Sequence, residues 1–323
     1  MFSRTSESSR RRVRYLTAAN LVLLLVIWCL LKEGASFGNV LTRCATDTAP
    51  MLLAALGLTA IIFTGAIDLS IGSILALGGT CFGILVVKGA PPWAAWLGCM
   101  GVVALLSGCN GLMVRYLKVP AIILTLAGLP FYRGVALMLA DSMIPGFSGN
   151  ISVQEGAFHT PGKDFPWLIL ALGIAVAMWM EFRGRSTRLW LALGGSEEAC
   201  RLAGLNPGRL TTQAFWFGGM FLALGTLVYV TRVTAIEPSR MALGFELQVI
   251  GAVIIGGTNI FGGEGSFTGT LLGGLFLYLI SQTLTYAEAS PYLQEAITGM
   301  VIIGVIGLDC ATQRRAKLLE ELA

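Results

Sequence analysis

The stretch Met51–Val87 decides what this chain folds into. It reads MLLAALGLTAIIFTGAIDLSIGSILALGGTCFGILVV, almost wholly apolar, with one charged residue, Asp68, near its middle. A membrane-spanning helix needs roughly 20 such residues, so the stretch is long enough for two. A carboxylate at that place is costly unless protein buries it or water reaches it, which makes it a functional candidate. Gly65 and Gly72 flank Asp68, and the hydroxyls of Ser70 and Ser73 are suited to capping a following helix. The reading is helix, short break carrying a carboxylate, helix. A plainer reading makes Asp68 the N-cap of the second helix at a membrane surface, since caps use Asp and Ser routinely. Pro50 to Val87 makes about 57 Å of helix, close to two crossings of a core about 30 Å thick. The break is therefore expected to be tight, with Asp68 accepting hydrogen bonds from the backbone N–H of Ser70 or Ile71.

The rest of the chain agrees with a membrane setting. Hydrophobic residues make up 55% and charged residues 12%, against about 25% charged in a soluble domain. Long continuous apolar runs, not short alternating ones, exclude a β-barrel and define an all-α polytopic membrane protein. The 41 glycines suit helices that pack closely in lipid. The net charge of +4 sits in the gaps between apolar runs and does not imply nucleic acid. Cys29, Cys44, Cys81, Cys99, Cys109, Cys200 and Cys310 form no CxxC pair, and His159 is the only histidine, so no metal site and no disulfide framework are expected.

Ten apolar runs follow one another: Leu16–Leu31, Pro50–Thr64, Leu69–Val87, Trp93–Leu117, Ala121–Ala140, Phe165–Met180, Thr211–Val230, Phe245–Ile260, Phe267–Tyr286 and Tyr292–Leu308. About ten transmembrane helices are thus expected, with broken or re-entrant segments around Asp68 and Gly256–Ser266. Ten crossings put both termini on one side. That side then carries fifteen basic residues, Arg4, Arg10, Arg11, Arg12, Arg14, Arg115, Lys118, Arg183, Arg185, Arg188, Arg201, Arg209, Arg314, Arg315 and Lys317. The other side carries six, Lys32, Arg43, Lys88, Lys163, Arg232 and Arg240. The asymmetry predicts cytoplasmic termini. The chain divides into a basic cytoplasmic N-terminus (1–15), one transmembrane permease-like domain (16–310) and a cytoplasmic tail (311–323). Residues 141–164, rich in Gly, Ser and Pro, read as an external loop, and 181–210 as an internal one.

Within the internal loop, Ser196 is placed as an N-cap, Glu197 and Glu198 fall in the first turn, and Gly204 is a C-terminal stop. A short cytoplasmic helix of this kind, with an apolar side from Ala199, Leu202, Ala203 and Leu205, either docks on a partner or rests on its own bundle. The glycine-rich stretch Gly256, Gly257, Asn259, Gly262, Gly263, Gly265 permits irregular backbone. No Lys follows in the GxxxxGK[ST] spacing, so the chain is not expected to bind ATP by a P-loop. It reads as a flexible turn between packed spans. Asn110, Thr125 and Gln282 are polar groups within spans and candidates for a solute path, although interhelical hydrogen bonding explains most such residues. Arg133 is expected to snorkel to the cytoplasmic interface.

Taken together, GAIDLSIGS at Gly65–Ser73, Asn110-Gly111-Leu112 with Lys118-Val119-Pro120, Thr125-Leu126 through Tyr132-Arg133-Gly134, Gly194-Gly195-Ser196-Glu197-Glu198-Ala199 through Arg201-Leu202-Ala203-Gly204, and Gly256–Asn259 through Gly262–Ser266 resemble the permease subunit of ribose-type monosaccharide ABC importers. Their order and spacing carry the likeness over nearly the whole chain. The resemblance implies a second permease, identical or paralogous. It also implies a cytoplasmic ATPase with two nucleotide-binding cassettes, which holds ATP and Mg, and a periplasmic or lipid-anchored substrate-binding protein. It implies a multi-pass place in the bacterial inner membrane, no cofactor bound by this chain, and no enzymatic activity of its own. It makes Gly194, Gly195, Ser196, Glu197, Glu198, Arg201 and Gly204 the segment that docks on the ATPase. Two departures stand out: Ala66 replaces the usual second glycine, and Leu205-Asn206-Pro207 replaces the usual Ile-x-Leu-Pro ending. The rival reading is an ion-gradient-driven secondary transporter with Asp68 as its coupling carboxylate in a broken helix.

Overall fold

The computed structural model describes residues 2–30, 37–153, 165–233, 235–290, 292–304 and 307. The expectations for 154–164, His159 included, and for the 311–323 tail lie outside these residues. The chain is mostly helical: α1 (Phe2–Leu30), α2 (Phe37–Asp47), α3 (Ala49–Phe63), α4 (Ile71–Val87), α5 (Pro92–Leu117) and α6 (Ala121–Met143) come first. A short strand β1 (Ile151–Ser152) precedes α7 (Pro166–Arg183), α8 (Arg185–Gly195), α9 (Glu197–Leu202) and α10 (Pro207–Val230). Strand β2 (Ala235–Ile236), α11 (Phe245–Ile255), α12 (Phe267–Tyr286) and α13 (292–304) complete it.

Among the described residues, six helices (α1, α5, α6, α7, α10 and α12) are long and apolar enough to cross a membrane. With 15, 17 and 11 residues, α3, α4 and α11 are shorter, roughly 23, 26 and 17 Å. Several apolar runs are therefore partial crossings that begin or end inside the bundle.

A helix that is apolar all round belongs inside, and α3 obeys this, with every residue except Met51 buried. It packs antiparallel to α10 through small residues. A Cβ added to Gly57 would stand 2.7 Å from Gly218 O, and one added to Gly225 would stand 2.8 Å from Pro50 O. Such close backbone approach is how helices gain contact where lipid offers no hydrophobic drive. The return helix α4 is buried from Ile71 to Thr80 and runs between α5 and α6. The outer helices α1, α6 and α7 keep large apolar groups exposed, among them Trp28, Leu126, Phe131 and Trp179.

The two ends of the bundle differ. At one, β1 and β2 pair antiparallel, Ile151 opposite Ile236, over Gly83 of α4, and Arg232 forms an ion pair with Asp47 at the end of α2. This sheet end holds the described part of the 141–164 loop. The opposite end gathers Thr64–Ala66, the 184–209 loop and the 256–266 turn, and Gly208 lies on the Arg115 side chain.

Besides the expected loop helix α9, two helices have no counterpart among the ten apolar runs. One, α2, is short and mixed in polarity, too polar to stand out as a span. The other, α8, precedes the expected short helix and buries Thr187, Trp190 and Leu193 against the bundle while its arginines face out. Its apolar run, Leu189 to Leu193, is only five residues, too short to stand out as a span.

The break around Asp68 also differs from the tight turn expected. Seven residues, Thr64 to Ser70, lie outside both helices. Thr64 and Gly65 close α3 by hydrogen bonds to Ile61 O and Ile62 O, and Ala66–Ser70 is irregular, reaching helical backbone angles at Ser70. Ser70 meets Asn110 of α5, about two turns inside that helix's Leu117 end. Because α4 starts at that depth it needs no full crossing, which frees residues for an irregular segment.

Candidate functional site

Non-helical backbone inside a bundle must find partners for its N–H and C=O groups. Side chains supply them here. Thr125 Oγ1 accepts from Leu69 N at 3.1 Å, and its one hydrogen is shared between Ala121 O at 2.9 Å and Ile67 O at 3.1 Å. Asp68 is fully buried, and its Oδ1 accepts from Ser70 N at 2.8 Å and from Ser70 Oγ at 2.6 Å. Ser70 Oγ accepts from Asn110 Nδ2 at 2.9 Å, and Asn110 Oδ1 accepts from the Tyr132 hydroxyl at 2.6 Å. Four buried side chains from the break, α5 and α6 thus form one chain of hydrogen bonds ending on Asp68. The second carboxylate oxygen, Asp68 Oδ2, is buried without a hydrogen-bond partner.

Ser70 N–H was one of the two partners the sequence proposed for Asp68. The capping role expected for the serine hydroxyls is not seen. Ser70 stands at the N-cap of α4 but makes no side-chain cap bond, and Ser73 Oγ donates to Ser70 O at 2.8 Å. With the carboxylate buried beside it, Ser70's hydroxyl gains more from the charged acceptor than from the helix end. Nor is Asp68 a surface N-cap: it lies two residues before the cap and 0% exposed.

The second feature joins three stretches far apart in sequence. Gly194, near the end of α8, lies directly against Phe63 O, Gly263 N and Gly262 C, so a Cβ there would meet backbone on every side. A Cβ on Gly262 would stand 2.5 Å from Gly65 N, and one on Gly263 would stand 2.9 Å from Gly195 Cα. Gly263 N donates to Phe63 O at 3.2 Å. The end of α3, the end of α8 and the glycine-rich turn therefore touch backbone to backbone. Positive φ at Gly65 (79°), Gly262 (85°) and Gly263 (80°) adds a second reason for glycine at these positions.

The glycine-rich turn is ordered, not the flexible connection its composition indicates. Asn259 shapes it: its N–H donates to Glu264 O at 2.9 Å, its Oδ1 accepts from Phe261 N at 3.0 Å, and its carbonyl accepts from Gly262 N at 2.9 Å. Gly256 serves the crossing of α11 and α12, where its added Cβ would fall 2.5 Å from Gly269 C. Gly257 (φ 91°) lies under the Arg12 side chain, and Gly265 beside Thr258 and Phe63. Sequence reasoning missed Glu181 of α7, whose Oε2 accepts from Thr268 N at 2.9 Å in the first turn of α12. With Ser266 Oγ accepting from Gly269 N at 3.0 Å, two of that helix's free N–H groups are satisfied.

Beyond the junction, α9 projects outward. Ser196 caps it, accepting from Ala199 N at 3.1 Å, and Gly204 (φ 75°) ends it. Glu197 and Arg201 pair at 2.5 Å on its exposed side, Glu198 is free of that pair, and Leu202 is 84% exposed. Cys200 faces inward, buried. A cleft of about 970 Å³ opens beside α9, lined among others by Gly65, Arg115, Lys118 and Glu197.

The path candidates part company. Asn110 and Thr125 belong to the Asp68 network, while Gln282 sits one turn from the far end of α12 and has no part in it. Arg133 does not snorkel to the cytoplasmic interface. It lies about three turns from either end of α6, and its Nη1 donates to Pro238 O at 3.1 Å and Met241 O at 2.7 Å. The carbonyls of the β2–α11 connection, pointing into the bundle, are nearer than any interface. Glu246, also unforeseen, places its carboxylate in the space left by the missing Cβ of Gly72.

Comparison with known proteins fits this arrangement. Residues 40–306 match a protein family described as "Branched-chain amino acid transport system / permease component". The ribose import permease protein of Haemophilus influenzae is 30% identical over 295 residues, 90% of this chain and 91% of that one. That of Bacillus subtilis is 32% identical over 259 residues, 80% of each. The autoinducer 2 import system permease protein of Klebsiella pneumoniae is 31% identical over 291 residues, 90% of this chain and 84% of its own. A metal-chelate type ABC transporter in an inward-facing conformation shares the fold with a TM-score of 0.52, at 11% identity, covering 93% of this chain and 98% of that one. A buried helix break inside a bundle, touching backbone to backbone the loop that carries a protruding helix, is thus seen in a chain that belongs to this permease family, as a transmembrane subunit of an ABC importer.

Proposed function

We propose that this chain carries a monosaccharide, or a related small polyol or furanosyl compound, into the cytoplasm, driven by a separate ATPase. The names of its relatives, ribose and autoinducer 2 import permeases, support that solute class. The observation that carries the mechanism is the glycine junction. Force applied to α9 by a partner reaches Gly194 through one short helix, and Gly194 bears on the end of α3 and the turn before α12. The break at Asp68 follows three residues after Gly65, so it is the first soft point beyond the junction.

In this reading the ATPase, with two nucleotide-binding cassettes and its ATP and Mg, docks on Glu197–Gly204 from the cytoplasm. A second permease, identical or paralogous, completes the path, and a periplasmic or lipid-anchored binding protein delivers the solute. The basic residues gather at the end that holds α9, which supports cytoplasmic termini in the bacterial inner membrane and an external 141–164 loop. Ten membrane-embedded helices then make up the 16–310 permease domain, several of them partial crossings, between the basic N-terminus 1–15 and the 311–323 tail. The ion-gradient alternative is supported by no relative reported above.

Membrane vesicles containing this permease and its natural partners test the energy source. Labelled ribose is expected to accumulate with ATP present and to continue accumulating after ionophores collapse the ion gradients. Uptake lost with the gradients and indifferent to ATP would overturn the reading.

Docking has its own probe. Arg201 already pairs with Glu197, so reversing it also places like charges one turn apart. Glu198 stands outside that pair and is the cleaner site. Glu198→Arg is expected to lower co-purification of the ATPase several-fold while the permease inserts normally, because a reversed charge leaves a mismatched contact at the partner surface. Normal co-purification and normal uptake would reduce α9 to a connector.

A further inference from the structure

Arg133 and Glu246 hold a position that neither lipid nor a dry core explains. Arg133 is at mid-height of a 23-residue spanning helix, about three turns from either end and so beyond snorkelling reach. Glu246 lies in the first turn of α11, an 11-residue helix that starts within the bundle. Both side chains are only partly buried. No ion pair joins the two among those described. Arg133 Nε and Glu246 Oε2 are each buried without a hydrogen-bond partner. Charged groups at this depth face protein or water, not hydrocarbon.

The surroundings give the direction. Arg133 Nη1 donates to Met241 O, and the next carbonyl, Ala242 O, lies with the Glu246 carboxylate against Gly72. The pair therefore flanks the start of α4, next to the buried Asp68 network, with both side chains partly exposed. We propose that Arg133 and Glu246 stand on the wall of the water-filled solute path, where a carboxylate and a guanidinium with unused hydrogen-bonding capacity meet the hydroxyl groups of a sugar-like solute. The inference deepens the functional reading above, which supplies the solute class and a second permease as the facing wall. The structure adds the residues and their place beside the hinge, so that solute contact and the Asp68 break share one helix start.

Cysteine accessibility tests this in the native complex. With all seven cysteines replaced, Arg133→Cys, Glu246→Cys and Trp179→Cys are each expressed in place of the chromosomal copy. Trp179 is 63% exposed on the apolar outer face of α7 and serves as the lipid-facing reference. Intact cells and inside-out vesicles are treated with a small, charged, impermeant thiol reagent, and labelling is normalised to permease in the membrane. Glu246→Cys and Arg133→Cys are expected to label in at least one preparation, several-fold faster than Trp179→Cys, and ribose in excess is expected to slow their labelling. If Arg133→Cys fails to insert, Glu246→Cys alone carries the result. Labelling no faster than at Trp179 overturns the path assignment. Fast labelling that ribose leaves unchanged, in cells whose cysteine-free parent imports ribose, overturns the solute contact. A parent that imports no ribose sinks the sugar reading instead, and the water-access result stands apart from it.

Discussion

Gly194→Ala is expected to abolish import, and Gly195→Ala to leave it near the parent rate. The two substitutions add the same methyl group one residue apart. At Gly195 nothing lies within 4 Å of the added carbon. At Gly194 it runs into Phe63 O, Gly263 N and Gly262 C, all backbone, none of which can turn aside as a side chain would. Overpacking a tight contact costs about 1–3 kcal/mol, which corresponds to roughly tenfold or more in a coupling equilibrium. The end of α8 must then lift away from α3 and from the glycine-rich turn, and these are the contacts through which α9 reaches the break. Uptake of labelled ribose, normalised to permease in the membrane, reads the effect. Parent-level uptake by Gly194→Ala would show that the junction transmits nothing.

Each of the three stretches at that junction was legible alone, and their meeting was not. Gly65, Gly194 and Gly262 stand in apolar or glycine-rich runs whose composition signals loose backbone. Composition says nothing about which backbone will fill the space a missing Cβ leaves. That information sits in pairings across more than a hundred residues, Phe63 with Gly194 and Gly65 with Gly262. The short helix α9 was readable to the residue because capping is local: Ser196 and Gly204 act within one turn of themselves. Its neighbour α8 was missed because its apolar run, Leu189 to Leu193, is only five residues long, between Arg188 and the Gly194-Gly195 pair. Glu246 was hidden at the first turn of an apolar run, where an acid reads as a favourable helix start. Only the gap above Gly72 shows that its carboxylate is turned into the bundle. Arg133 was misread because its distance to an interface was weighed and its distance to the Pro238 and Met241 carbonyls was not knowable.

Asp68→Asn is expected to retain most transport and Asp68→Leu to lose it. Asp68 Oδ1 accepts two hydrogen bonds from Ser70, one from its N–H and one from its hydroxyl. An asparagine keeps an oxygen at that place, and its amide hydrogens lie toward the position of Oδ2, which carries no donor to clash with. The chain from Tyr132 through Asn110 to Ser70 can then close as before. Leucine removes the acceptor and leaves a buried N–H and a buried hydroxyl unpaired, at about 1–3 kcal/mol for each group. The irregular segment Ala66–Ser70 would lose its fixed geometry just where α4 begins, and α4 carries the Gly72 seat for Glu246. Transport is therefore expected to fall steeply in Asp68→Leu, together with the thermal stability of the purified permease. A proton-carrying carboxylate orders the variants differently, since an amide cannot titrate: asparagine would be as inactive as leucine. Import by Asp68→Asn as low as by Asp68→Leu, with normal protein in the membrane, would sink the account of Asp68 as the structural acceptor of the hinge.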